Sequence, residues 1–211
     1  MKAIVSLIVA GMFLLFQVMP VAAQTKTFTL SATVPAASGV SVSVSRVNAV
    51  TNVFTKLPDG ITALSFDPMK FDTTNNIYLP DHYFALDFGV SGGAGVPDLT
   101  VTYNEGKNPN GSSNGLGYKA TATFAKEVVE SDGTTTETLL TAHGPKKRLI
   151  DLKSEHVAST EISSDAFPRI YLGIWTGGTN PPADPTNGQP FSNGDKAGKY
   201  TGSLVVTAVI R

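Results

Sequence analysis

Hydrophobic positions in this chain recur at every second residue, in many short runs. Segment 27–34 reads Thr-Phe-Thr-Leu-Ser-Ala-Thr-Val, with Phe28, Leu30, Ala32 and Val34 on one side and hydroxyl residues on the other. Period two marks a strand with one buried face. Pro35 and Gly39 then interrupt the pattern, and Val40, Val42 and Val44 resume it against serines up to Arg46. Further strands are predicted over 62–66, 77–79, 83–90, 99–103, 118–129, 134–140, 167–175 and 200–211. The runs 149–152 and 157–162 are weaker, with room for a short helical turn between them. Leu57-Pro-Asp-Gly60, Gly92-Gly-Ala-Gly95 and Ser131-Asp-Gly133 are turn signals. Segments 71–76, 104–117 and 176–199 read as exposed loops. No segment sustains a 3.6-residue period, so the expectation is an all-β sandwich.

Residues 1–23 break this rule. Lys2 precedes an almost unbroken apolar run from Ala3 to Met19, and Val21-Ala22-Ala23 has the small residues of a cleavage site. This reads as a secretory signal peptide with Gln24 as the first mature residue; a membrane anchor is the rival reading. Removing 23 residues from 211 leaves 188, enough for one well-cored domain. The mature chain has 15 basic and 17 acidic residues, which gives no footprint for nucleic acid or an anionic membrane. It has no cysteine. Export would permit disulfides, so stability here must come from burial and strand pairing, or from a partner.

Candidate chemistry is thin. His82, His143 and His156 lie far apart without metal-ligand spacing, and are read as surface or loop residues. No nucleophile elbow accompanies them. Asp59, Asp132 and Asp195 adjoin glycine, a turn habit that explains them without a glycosidase pair. Asn110-Gly-Ser is formally a glycosylation acceptor, and Lys146-Lys-Arg148 reads as a solvated loop. Tyr171 and Trp175 suit core or cross-strand packing, with a sugar platform as the lesser reading. No catalytic residue, metal or cofactor is expected. An outer-membrane barrel fits the alternation but not the sparse aromatics.

The two ends of the mature chain carry a resemblance. Phe-Thr-Leu-Ser-Ala-Thr-Val-Pro at 28–35 resembles the donor strand of chaperone–usher fimbrial subunits, most of all the cysteine-free, alternative-pathway colonisation-factor type. Gly-Lys-Tyr-Thr-Gly-Ser-Leu-Val-Val-Thr-Ala-Val-Ile at 198–210 is similar to that family's closing strand. The resemblance implies an immunoglobulin-like sandwich over 37–211 that lacks one strand and is completed by a donor strand from a neighbouring subunit. Segment 24–36 would be donor strand and hinge, with Phe28, Leu30, Ala32 and Val34 as plugs and Pro35 and Gly39 in the hinge. Tyr200, Gly202, Leu204, Val206, Ala208 and Ile210 would line the acceptor groove, Gly202 leaving room for a plug. The implied partners are identical subunits, a periplasmic chaperone, an outer-membrane usher and a tip adhesin, with export through the periplasm to surface fimbriae. The alternatives are a secreted carbohydrate- or surface-binding module and, further off, a sandwich hydrolase. The ordinary alternative for segment 27–34 is that it completes its own sheet.

Overall fold

The alternation resolves into fourteen strands among the described residues of the computed structural model. Those residues are 26–33, 39–90, 95–111, 114–129, 135–144, 146–162, 164, 166–176 and 188–210. The signal segment, Val34, Pro35 and the 131–133 turn lie outside them. The strands are β1 (Lys26–Thr33), β2 (Val40–Asn48), β3 (Phe54–Lys56), β4 (Ala63–Ser65), β5 (Met69–Asp72), β6 (Ile77–Pro80) and β7 (His82–Val90). After them come β8 (Pro97–Glu105), β9 (Ala120–Val129), β10 (Thr135–Leu139), β11 (Lys147–Arg148), β12 (Lys153–Val157), β13 (Ala166–Ile174) and β14 (Gly198–Ile210).

One sheet runs β12-β8-β14-β1-β4; the other runs β10-β9-β13-β7-β2-β3, with β11 added to β9. β5 and β6 form a separate small hairpin. A single apolar cluster joins the sheets, drawing Leu99, Val101, Leu204 and Val206 from the first and Leu86, Phe88, Phe124 and Ile170 from the second. The protein is therefore an all-β sandwich. Its strand order follows the immunoglobulin pattern, in which A, B, E and D form one sheet and C, F and G the other. β2, β7, β13 and β9 take the A-B-E-D order, and β8 and β14 stand as C and F. The place of G beside β14 belongs to β1, from the opposite end of the sequence.

Several loop expectations are corrected. The 71–76 segment begins inside β5. Between 149 and 162 the order is reversed: one-turn 3-10 helices at Leu149–Asp151 and Ser159–Glu161 flank strand β12. Within 104–117, the Glu105 carboxylate accepts from the backbone N–H of Leu116 (3.0 Å) and Gly117 (2.9 Å). It thereby holds the start of a one-turn helix, α1 (Leu116–Lys119), whose Leu116 is fully buried. His82 and His143 are buried, not surface residues. His82 Nδ1 lies 2.5 Å from Asp81 and Nε2 2.8 Å from the Ser65 carbonyl. His143 stands between Glu155 (2.6 Å) and Glu161 (3.2 Å), joining the end of β10 to β12. Lys147 and Arg148 are likewise engaged, with Glu155 at 2.6 Å and Asp151 at 2.7 Å.

Candidate functional site: the N-terminal strand and its slot

β1 lies between β14 and β4. It pairs in parallel with β14 over eight positions, Phe28 opposite Tyr200, Leu30 opposite Gly202 and Ala32 opposite Leu204. Its other edge pairs antiparallel with β4 over three positions, Thr29 to Ser31 against Ser65 to Ala63. Polar ends extend that short ladder: the Phe28 N–H donates to the Asp67 carboxylate at 3.1 Å, and the Ala32 N–H to the Thr62 carbonyl at 2.7 Å. In this structure the slot beside β14 holds the chain's own β1.

The alternation of 27–34 sets which face is buried. Phe28 and Leu30 are fully buried and Ala32 nearly so, while Ser31 and Thr33 face outward. Phe28 packs against Phe191, with ring centroids 3.9 Å apart, and stacks on Tyr200 at 5.4 Å. Phe191 and Tyr200 meet edge to face at 5.0 Å, the arrangement favoured by the ring quadrupoles. Tyr200, Gly202, Leu204, Val206 and Ala208 all face the core, and Ile210 packs partly against it. The room above Gly202 belongs to another residue than the one expected. A Cβ there would stand 2.6 Å from the Cζ of Tyr103 on β8, and closer still to its hydroxyl. The phenol ring of Tyr103, not a plug from β1, occupies that space, and its buried hydroxyl lies near the Glu105 carboxylate without a hydrogen bond of good geometry. Burial, and next the charge of Glu105, push that phenol far above its ordinary value. Gly39, just before β2, adopts a left-handed φ of 102°, where a side chain would be strained.

A polar cluster closes the Phe28 end. Lys119 and Asp195 form a buried ion pair at 2.9 Å. Asp195 also accepts from the Ser192 N–H and from the Asn110 side-chain amide, each at 2.7 Å, so its lone pairs are satisfied as a buried carboxylate requires. The Tyr200 hydroxyl lies 2.7 Å from the Lys196 carbonyl and 2.9 Å from Asn110 Oδ1, and is pushed up to about 12 by burial and then by Asp195. Lys26 donates to the Ser192 carbonyl at 2.8 Å and sits over the Tyr78 ring; burial lowers its pKa, against the pull of Asp195. The cluster pins segment 188–197 over Phe28 and puts Phe191 at zero exposure.

Asp195 is therefore more than a turn residue, and the amide of Asn110 is committed to Asp195 and to the Asn114 carbonyl (3.0 Å), not presented as a glycan acceptor. Neither Lys119 nor Phe191 belongs to a readable pattern, although Phe191 is the one large apolar side chain in 176–199. Tyr171 pairs edge to face with Tyr83 of β7 at 5.7 Å.

Relatives do not decide the matter. No family model, curated protein or solved structure matches the chain.

Proposed function

We propose that this chain is the repeating subunit of a cell-surface fimbria, polymerising by exchange of the N-terminal strand between neighbours and supporting adhesion. The observation that carries the reading is the direction of β1. A G strand following F in an immunoglobulin sandwich is its antiparallel hairpin partner. Here an N-terminal strand takes that place, parallel to β14, and its apolar side chains sink into the core. Parallel pairing is slightly less stable per residue than antiparallel pairing. A neighbour's 27–34 entering antiparallel would bring the same plugs with a better ladder. Burial of Phe28 and Leu30 contributes about 1.5–3 kcal/mol each in either arrangement, so the choice rests on the ladder and on the entropy of joining subunits.

Each subunit would donate β1 and accept at β14 through different surfaces, a heterologous contact that propagates as a filament. Between release and assembly the slot exposes an apolar edge prone to aggregation. That need fits a periplasmic chaperone, with an outer-membrane usher and a tip adhesin as further partners and a signal-directed route to the surface. Strand addition supplies affinity through main-chain bonds and specificity through alternate side-chain pockets. A second reading, a carbohydrate- or surface-binding module, draws on a cleft in the other sheet.

The test is removal of residues 24–34. The shortened chain should fold with a chaperone or with a synthetic 24–36 peptide, and should fail to polymerise; Leu30→Asp in the full chain should block assembly likewise. A mature chain that stays monomeric at millimolar concentration, and ignores the added peptide, sinks the proposal.

A further inference from the structure

The outer face of the β9-β13-β7 sheet carries a cleft of about 640 Å3, away from the β1 slot. Its lining includes Tyr83, Tyr171, Gly173 and Thr121 from these three strands, with Phe54 of edge strand β3 and Leu139 of edge strand β10. The volume lies in the range of pockets that hold small organic ligands, and the mix of apolar walls with a few placed polar groups is theirs too.

Gly173 points to an occupant. Glycine inside a strand weakens it, and is explained by a bulge, a bend or the close approach of something to the backbone. β13 is in unbroken register with β9 through Gly173, opposite Thr121, so no bulge is present. The φ of Gly173 is outside the left-handed range, and an added Cβ would meet only ordinary contacts, Tyr83 at 3.7 Å and Thr121 at 3.9 Å. Gly202, on β14, is explained by the Tyr103 ring. Among the described residues no neighbour explains Gly173, and it lines the cleft.

We propose that the cleft binds a neutral saccharide. Tyr83 and Tyr171 meet edge to face on its floor and Phe54 is 41% exposed at its wall, aromatic surfaces suited to the C–H faces of a pyranose. The Tyr83 hydroxyl donates to Asn52 Oδ1 at 3.1 Å and the Tyr171 hydroxyl donates to Glu137, an amide and a carboxylate able to accept sugar hydroxyls as well. Beneath them Arg169 pairs with Asp87, Glu127 and Glu137. The charged side chains that line the cleft itself, Glu137 and Lys146, are of opposite sign, so the lining carries no net charge that would call for an acidic or a basic sugar. Strand exchange is not required, so a monomer should bind as well as a filament.

The experiment uses the full mature chain, with maltose, cellobiose, lactose, N-acetyllactosamine and sialyllactose tested by saturation-transfer NMR and titration. At least one neutral sugar should bind, and sialyllactose no more tightly than lactose. Gly173→Val should keep or raise the melting temperature, because a branched side chain suits a strand, and weaken binding at least tenfold; Gly173→Ala should weaken it less. Phe54→Ala, on an exposed edge, should also weaken binding and serves if the valine variant fails to fold. The proposal falls if no neutral sugar binds, if only sialyllactose does, or if folded Gly173→Val and Phe54→Ala bind like the parent. Because binding is read on monomer and assembly by peptide addition, either idea can fail alone.

Discussion

β14 is held by a different kind of neighbour on each side. β8 pairs with it antiparallel over nine positions, from Gly202 opposite Glu105 to Ile210 opposite Pro97. β1 pairs with it in parallel over eight, covering the first eight of its thirteen residues. Both neighbours bury apolar side chains fully, so burial does not distinguish them. What differs is continuity. β8 runs between core strands, and its Tyr103 ring crosses over Gly202 to lock the pair together. β1 ends at Thr33 and meets β4 over only three positions on its other edge. The contrast teaches that full burial does not by itself decide how firmly a strand is held.

The sharpest way to break the contrast is a cavity on each side. Phe28→Ala should cost about 4 kcal/mol and Leu99→Ala, in β8, about 3 kcal/mol, both read as shifts in urea midpoint. A peptide spanning 24–36, added in trans, should restore much of the loss for Phe28→Ala and none for Leu99→Ala. Equal response of the two variants to the peptide would place β1 and β8 in one class and remove the main support for exchange. A smaller effect is expected at the lock itself. Gly202→Ala drives a Cβ against the Tyr103 ring and should cost about 2 kcal/mol by overpacking. Thermal melting checks it, and an unchanged melting temperature would show that the ring is not fixed.

Part of this contrast was legible in the sequence. Period two marks half-buried strands directly, so Phe28, Leu30 and Ala32 announced their buried face, as did Tyr200, Leu204, Val206 and Ala208. The direction of β1 was not legible, because alternation is identical in parallel and antiparallel ladders. Phe191 was hidden because a single buried ring in an aperiodic segment leaves no period to read. The burial of Asp195 and His143 depends on Lys119 and on Glu155 and Glu161, partners that only the fold brings close. β12 escaped notice because its alternation is broken at Ser154, where φ is 96° and the register with β8 shifts.

Next in size is the orphan hydroxyl on the β8 side. Among the described residues the buried Tyr103 oxygen has the Glu105 carboxylate nearby but no well-formed hydrogen bond, and an unmet buried polar group is costly. Tyr103→Phe keeps the ring over Gly202 and should stabilise the protein by about 1 kcal/mol. A loss of stability in urea unfolding would instead reveal a hydrogen bond to that oxygen.

The gentlest test is read in the alkaline range. On the β1 side, the Tyr200 phenol has its folded pKa raised to about 12 from an ordinary value of 10.0, by burial and then by Asp195. The folded state therefore keeps a proton that the unfolded chain gives up. Its contribution is whole below pH 10 and is lost as pH rises from 10 toward 12. Tyr83, Tyr103 and Tyr171 are raised too and add to the same alkaline loss. Lys26 acts in the opposite sense: with its folded pKa lowered by burial, it disfavours folding while charged and ceases to do so as it deprotonates. Tyr200→Phe should make the fall in stability between pH 10 and 12 shallower, measured as the urea midpoint at each pH. Because Tyr200 stacks on Phe28, the Tyr200 effect should shrink in the Phe28→Ala background, where water reaches the phenol. Persistence of the full Tyr200 effect in that background would mean that β1 does not control the environment of β14.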